Sequence, residues 1–195
     1  MFTTGLVLAA GRSTRLGRAK QTLEYRGGTL LGATLDMART CEFDQLLVVI
    51  GGAADEVRAS VDMRGCTVVE NLDHGAGCSS SIATSLSEID GRADGLVLLL
   101  GDQPEIDPGS VAELVVVATG AGAPLGVCRY IDGRGHPFWF DRSLFGELTD
   151  LHGDKVVWKL IESGRWPVTE VGVEGSVPLD VDTWDDYERL LESAT

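Results

Sequence analysis

Hydrophobic residues in this chain fall into short blocks parted by polar, glycine-rich turns, and the blocks alternate between two patterns. The first is an apolar run, seen at Leu6–Ala10, at QLLVVIGG (45–52), at CTVVEN (66–71) and most strongly at GLVLLLGD (95–102). Runs of this length bounded by turn residues predict buried strands. The second pattern has helical spacing. TLLGATLDMART (29–40) sets Leu30, Ala33, Leu35, Met37 and Ala38 on a partly buried helix, and ADEVRASVDM (54–63) reads as a short amphipathic one. SSSIATSLSEI (79–89) predicts a helix whose first turn offers three hydroxyls. Asp107 and Pro108 supply an N-cap and a first-turn proline for a helix reaching about Ala118. Alternation of strand and helix from residue 5 to 118 predicts right-handed βαβ units. The expected class is α/β, a three-layer α/β/α arrangement with a mostly parallel sheet.

The pattern loosens after Gly120. APLGVCRY (123–130) and HPFWF (136–140) read as strands around the glycine-rich turn IDGRG, expected to pair antiparallel at one edge of the sheet. DRSLFGEL (141–148) and DKVVWKLIES (154–163) are expected helices. VTEVGV (168–173) and SVPLDV (176–181) predict a final hairpin or pair of strands. Trp184, Tyr187 and Leu191 share one face of a closing helix capped by Asp182 or Thr183. No repeat, low-complexity tract or linker divides the chain, so a single domain over 1–195 is expected.

Charge sharpens this picture at one place. The chain carries 16 basic and 30 acidic residues, a net charge of −14, yet five of the cations fall between Arg12 and Arg26. Four of them, Arg12, Arg15, Arg18 and Lys20, sit in GRSTRLGRAK, directly after the first strand. Gly11 and Gly17 let the backbone bend tightly and approach a ligand, while Arg15 and Lys20 bring fixed positive charge. An acidic chain that gathers its cations in one glycine-rich loop is arranged to hold phosphates there; an ordinary surface turn with solvated arginines is the competing reading. Five residues part Gly11 from Gly17 and Lys20 comes three later, which is not a P-loop, and G-x-G-x-x-G is absent. The acidic balance argues against a nucleic-acid partner. No apolar run approaches the ~20 residues of a membrane span, so no membrane partner is expected. The first residues lack the basic region of a signal peptide, and Cys41, Cys66, Cys78 and Cys128 make no metal or disulfide pattern, so a reducing cytoplasm is the expected location.

LAAGRSTRLGRAK resembles the signature L-A-x-G-x-S-x-R-x-G-x-x-K of the MobA-like nucleotidyltransferases. KQTLEYRGGTLL (20–31), GCSSSIATSL (77–86), LLLGDQP (98–104), GHPFWF (135–140) and LDVDTWDDYERL (179–190) resemble the same family, in the same order. The branch most similar is that of the molybdenum cofactor cytidylyltransferases (MocA-like), which transfer CMP from CTP to molybdopterin. The resemblance implies a nucleotide-diphospho-sugar transferase (GT-A-like) fold, with a nucleotide-binding part to about residue 120 and an acceptor-binding part from about 121. It implies Mg²⁺ as cofactor, CTP and a molybdopterin-type acceptor as substrates, and a molybdoenzyme of the xanthine dehydrogenase type as candidate partner. Leu8-Ala9-Ala10-Gly11 resembles the cytidylyl branch, whereas the guanylyl branch usually reads LAGG. His74 and Cys78 stand where relatives usually carry Trp and Met, and Val156, Val157 and Trp158 follow the retained Gly153 and Asp154 where relatives continue Gly-Ala-Arg.

Ligands of open α/β sheets bind beyond the carboxyl ends of the strands. The basic loop and Gly101-Asp102-Gln103-Pro104 meet there if the first and fourth strands are neighbours. Asp102 at such a strand end suits Mg²⁺, which takes one or two carboxylates plus phosphate oxygens; a turn or capping aspartate is the alternative. Asp182 is the candidate second metal carboxylate or a helix cap, and Asp180 reads as strand-end scaffold. Loop and resemblance together assign Arg15, Lys20 and Asp102 to catalysis. They assign Leu8, Ala9, Ala10, Gly11, Arg12, Ser13, Gly17, Lys20 and Gly101 to the nucleotide. Ser79, Ser80 and Ser81 would reach the acceptor or simply cap their helix, and His136 would stand near the acceptor or hold a turn. The other readings are transfer to another phosphorylated acceptor, such as a sugar phosphate or a phospholactate-like acid, and a non-catalytic molybdenum-cofactor chaperone.

Overall fold

A computed structural model describes residues 1–150, 152–153 and 155–193. In chain order the elements are β1 (Thr3–Ala9), a small hairpin of β2 (Glu24–Tyr25) and β3 (Gly28–Thr29), α1 (Leu30–Arg39), β4 (Gln45–Ile50), α2 (Ala54–Ser60) and β5 (Thr67–Glu70). There follow α3 (Cys78–Leu86), β6 (Gly95–Leu100), α4 (Pro108–Gly120), β7 (Leu125–Tyr130), β8 (Gly133–Asp141), α5 (Phe145–Thr149), α6 (Val156–Glu162), β9 (Val168–Gly172) and α7 (Trp184–Ser193). Seven strands form one sheet in the order β5-β4-β1-β6-β8-β7-β9. β8 runs antiparallel to both neighbours, and the other pairings are parallel.

The apolar runs are continuous because both faces of the sheet are covered. Val7 and Ala9 of β1, with Val97 and Leu99 of β6, belong to a core that takes in Leu31, Leu35, Val57, Val111 and Leu114 of α1, α2 and α4. Their alternates Leu6, Leu96 and Leu98 belong to a second core with Ile82 of α3, Leu148 of α5 and Leu160 of α6. The period of two along each strand thus feeds two cores, and the three layers follow. Asp107 and Pro108 act as expected, Asp107 Oδ2 accepting from Ser110 N at 2.8 Å with Pro108 opening α4; α1 is capped by Thr29, whose Oγ1 accepts from Gly32 N at 3.1 Å.

Several expectations need correction. β7 and β8 do pair antiparallel, but inside the sheet, because β9 adds in parallel outside β7. SVPLDV (176–181) forms no strand. Pro178 has no N–H for a ladder, its carbonyl accepts from Gln103, and Val177 N donates to Asp132. The β2–β3 hairpin, absent from the sequence reading, turns on Arg26 and Gly27 at φ 50° and 77°, the left-handed pair of a two-residue hairpin turn. α2 stops at Ser60, and the helix expected at 154–163 runs from Val156 to Glu162, Asp154 lying outside the described residues. On α7 it is Leu190 that is buried, while Trp184 and Leu191 are 42% and 39% exposed. The four cysteines form no disulfide among themselves. Among the described residues no helix is long and apolar enough to cross a membrane.

Candidate active site

β1 pairs with β4 on one side and β6 on the other, so the chain's direction of travel across the sheet reverses at β1. A crevice opens at such a switch point. Gly101 N donates to Leu8 O at 2.8 Å, which sets the basic loop and the Gly101–Pro104 turn side by side. Inside the loop, Leu16 N and Gly17 N both donate to Ser13 O at 3.1 Å, and Gly17 takes φ 70°, a left-handed conformation that favours glycine. Ser13 Oγ accepts from Lys20 N at 3.0 Å. The buried Gln21 amide donates from Nε2 to Ala9 O (2.6 Å) and Gly11 O (3.1 Å), so the strand end and loop wrap around one side chain. Leu16 anchors the loop among Leu23, Tyr25, Leu30, Val181 and Leu190.

A cleft of about 460 Å³ lies over this junction. Of the residues expected at the nucleotide, Leu8, Ala9, Ala10, Gly11, Arg12, Lys20 and Gly101 line it. Asp102, Asp182 and Ser81 line it too. Ser13 and Gly17 shape the loop from behind. Arg15 reaches in through Asp182, donating from a guanidinium nitrogen to Oδ2 at 2.6 Å. Ser79, Ser80 and His136 are engaged elsewhere. Ser79 Oγ accepts from Gly153 N at 2.9 Å, and Ser80 Oγ donates to backbone carbonyls and accepts from Asn71 Nδ2. His136 sets its ring edge-on to Phe138, at 4.4 Å between centroids. Burial of that ring pushes its imidazole down to about 3, although part of the residue reaches solvent; the residue is neutral at physiological pH. Gln21 and Asp180 belong to the cleft without having been expected there, and His74, whose loop the resemblance puts around the acceptor, lines it too. His74 Nδ1 accepts from Arg12 Nε at 3.2 Å, closing the cleft between loop and α3. A side chain at Gly51 would meet both neighbours, its Cβ falling 2.8 Å from that of His74 and 2.9 Å from that of Ala10.

The floor of the cleft is a cation between carboxylates. Lys20 Nζ donates to Asp102 Oδ2 at 2.6 Å and to Asp182 Oδ1 at 3.0 Å. Burial works against the Lys20 charge, but the two carboxylates outweigh it and raise the ammonium above its usual range. Burial likewise pushes the Asp182 carboxyl up, and Lys20 with Arg15 overcomes it, leaving the carboxyl low. Asp182 is not the cap of α7. Thr183 and Asp186 cap it reciprocally: Asp186 N donates to Thr183 Oγ1 at 3.2 Å and Thr183 N to Asp186 Oδ2 at 2.9 Å, a capping box with Asp in place of Glu. The Asp182 carboxylate is therefore available to the cleft.

Two carboxylates from distant segments sharing one ammonium form a site built around positive charge. Among the described residues no cage of three or more His, Cys, Asp or Glu side chains exists. A divalent cation that completes its shell with phosphate oxygens needs no such cage, so Asp102 and Asp182 fit an Mg²⁺-type ion.

Asp180 adds a third carboxylate. Burial and the Asp102 charge raise its carboxyl from 3.8 to about 6, against the pull of Lys20; the residue is exposed, and water screens part of this. A carboxyl whose folded value lies above its unfolded one stabilises the fold while protonated, and that contribution is lost as pH rises through the folded value. Wild-type stability relative to Asp180→Asn is therefore expected to fall between pH 3.8 and about 6 and to level off above. Urea melts of both proteins across that range check the sign. A wild type that gains on the variant with rising pH contradicts the assignment.

Comparisons with known proteins agree with this fold. The MobA-like NTP transferase domain matches residues 5–168. The purine catabolism protein PucB of Bacillus subtilis is 28% identical over 205 residues, covering 97% of this chain and 96% of its own. Nicotine blue oxidoreductase of Paenarthrobacter nicotinovorans is 29% identical, with 96% of each chain covered. The crystal structure of Rv0371c from Mycobacterium tuberculosis superposes with a TM-score of 0.91 at 55% identity over 98% of both chains, and a manganese complex of that protein superposes with 0.87 at 53%, over 99% of this chain and 100% of that one. CMP:2-keto-3-deoxy-manno-octonic acid synthetase, at 13% identity and a TM-score of 0.81, shares the nucleotidyltransferase fold over 99% of this chain and 98% of its own. Signature loop, sheet order and whole-length similarity lead to one assignment: the chain belongs to the MobA-like NTP transferase family, within the nucleotidyltransferases.

Proposed function

We propose that this protein transfers CMP from CTP to a molybdopterin-type acceptor and releases pyrophosphate, with Mg²⁺ held by Asp102 and Asp182. The observation that carries the reading is the convergence of these two carboxylates on the Lys20 ammonium at the mouth of the glycine loop. A bound divalent ion supplies charge neutralisation to the phosphate oxygens. The chain's own residues do the rest. Loop backbone from Leu8 to Gly11 faces the base and sugar, while Lys20 and Arg15 offer positive charge to the triphosphate. An oxygen of the acceptor phosphate attacks the α-phosphorus; the new P–O bond forms as the bond to the β-phosphate oxygen breaks, and pyrophosphate departs with that electron pair. A terminal phosphate is already an oxyanion near neutral pH, so no histidine is required as base. Positioning and charge are sufficient catalysis for such a transfer.

Ala10 supports CTP over GTP. Its methyl group lines the cleft beside Gly51, where an added Cβ would fall 2.9 Å from it, and a purine would feel the lost room more than a pyrimidine. The discrimination from one methyl is about 1–3 kcal/mol, so Ala10→Gly relaxes the preference without inverting it. Pyrophosphate release across four nucleotides and a panel of acceptors tests the reading, with kcat/KM for CTP and GTP compared on one acceptor. A GTP preference in the wild type overturns the cytidylyl assignment. Release with a sugar phosphate or a phospholactate-like acid, and none with molybdopterin, replaces the acceptor. Binding of a nucleotide cofactor with no release from any pair favours a chaperone.

A further inference from the structure

Gln103 follows Asp102 directly and is 1% exposed. Its Nε2 donates to Pro178 O at 3.0 Å and to Asp180 Oδ1 at 2.6 Å. Both amide hydrogens are thus directed at the segment that carries Asp182. That segment lies outside the sheet, so no strand ladder sets its position. Val181 anchors it in the core, and the buried Gln103 carboxamide holds it through Pro178 and Asp180.

We propose that Gln103 is a positioning residue. Its carboxamide ties the 178–182 segment to the Gly101–Pro104 turn, fixes the separation of Asp102 and Asp182, and so sets the site's affinity for a divalent cation. The inference rests on the reading of these two aspartates as metal ligands. It explains why an amide stands here: two acceptors must be met by two donors on one planar nitrogen, which neither glutamate nor an apolar side chain provides.

The test is Mn²⁺ binding to the purified protein without nucleotide, followed by the paramagnetic resonance of free Mn²⁺. Outer-shell partners of metal ligands are typically worth about 10- to 100-fold in affinity, and Gln103→Leu is expected to weaken Mn²⁺ binding by about 10-fold or more. In turnover the loss should appear as a raised KM for Mn²⁺, with kcat restored at saturating Mn²⁺. A second pair approaches the tether from its other end and stands even if Gln103→Leu fails to fold. Asp180→Asn and Asp180→Ala remove the same charge, but only asparagine still accepts from Gln103. The alanine variant should bind Mn²⁺ more weakly than the asparagine one. Equal affinities in that pair, or wild-type affinity in a folded Gln103→Leu, overturn the proposal. Failure of the metal reading looks different: Asp102→Asn and Asp182→Asn would then bind Mn²⁺ as the wild type does, or the wild type would not bind it.

Discussion

Asp102→Asn should lower turnover by at least about 100-fold, the scale of losing a principal electrostatic element of an active site, while leaving the fold nearly as stable. Asp102 is 7% exposed at the end of the most hydrophobic strand, where little water can replace a lost charge. Asparagine preserves the shape and still offers an oxygen to Lys20, which keeps its second partner, Asp182, at 3.0 Å. The substitution therefore removes the charge a divalent cation needs and little else. Pyrophosphate release at saturating CTP and Mg²⁺, alongside a thermal melt, separates the two effects. Near-normal turnover in a folded variant removes Asp102 from the metal role.

Lys20→Met should act twice. A charge-assisted contact to the triphosphate is worth about 1.5–3 kcal/mol, so kcat/KM for the nucleotide should fall by one to two orders of magnitude; an effect confined to the acceptor's KM would remove Lys20 from the triphosphate. The second effect needs no substrate. Without its ammonium, Asp102 and Asp182 face each other, and among the described residues the cation still paired with either is Arg15, 65% exposed, through Asp182. Breaking a fully buried pair costs about 3–5 kcal/mol, and this partly solvated one should cost less. The variant is expected to melt below the wild type in metal-free buffer and to gain more from Mn²⁺ than the wild type does, since binding to the native state stabilises it by mass action. Equal Mn²⁺ responses would show that the ammonium and the metal do not share a place. Arg15→Met, lying further out, should have the smaller effect.

The parts of the molecule that were legible in the sequence are those written locally. Strands covered on both faces announce themselves as unbroken apolar runs, and GRSTRLGRAK and GDQP are contiguous. The parts that were misread depend on distant partners. VPLDV alternates like a strand, but Gln103 and Asp132 take the hydrogen bonds a ladder would have used. β7 and β8 read as edge strands because nothing near them specifies that β9 adds outside. Asp180 read as strand-end scaffold; no strand forms there, and its carboxylate accepts instead from Gln103, 77 residues away. Gln103 itself carried a usable signal: a glutamine between a strand-end aspartate and a proline, next to an apolar run, is placed to be buried and therefore needs partners. That the cap of the last helix is not Asp182 turns on Asp186, whose role as reciprocal partner of Thr183 was there to be seen in the T-x-x-D spacing.

That closed circuit between Thr183 and Asp186 has an evolutionary corollary. The final helix owes its start to Thr183 and Asp186, which do not line the cleft, so its cap does not depend on the side chain at 182. On the proposed metal role, a descendant that replaced Asp182 would keep the cap of its last helix while losing the cation's second carboxylate, so a folded relative lacking an acid at this position should be examined first for what it holds rather than for what it makes.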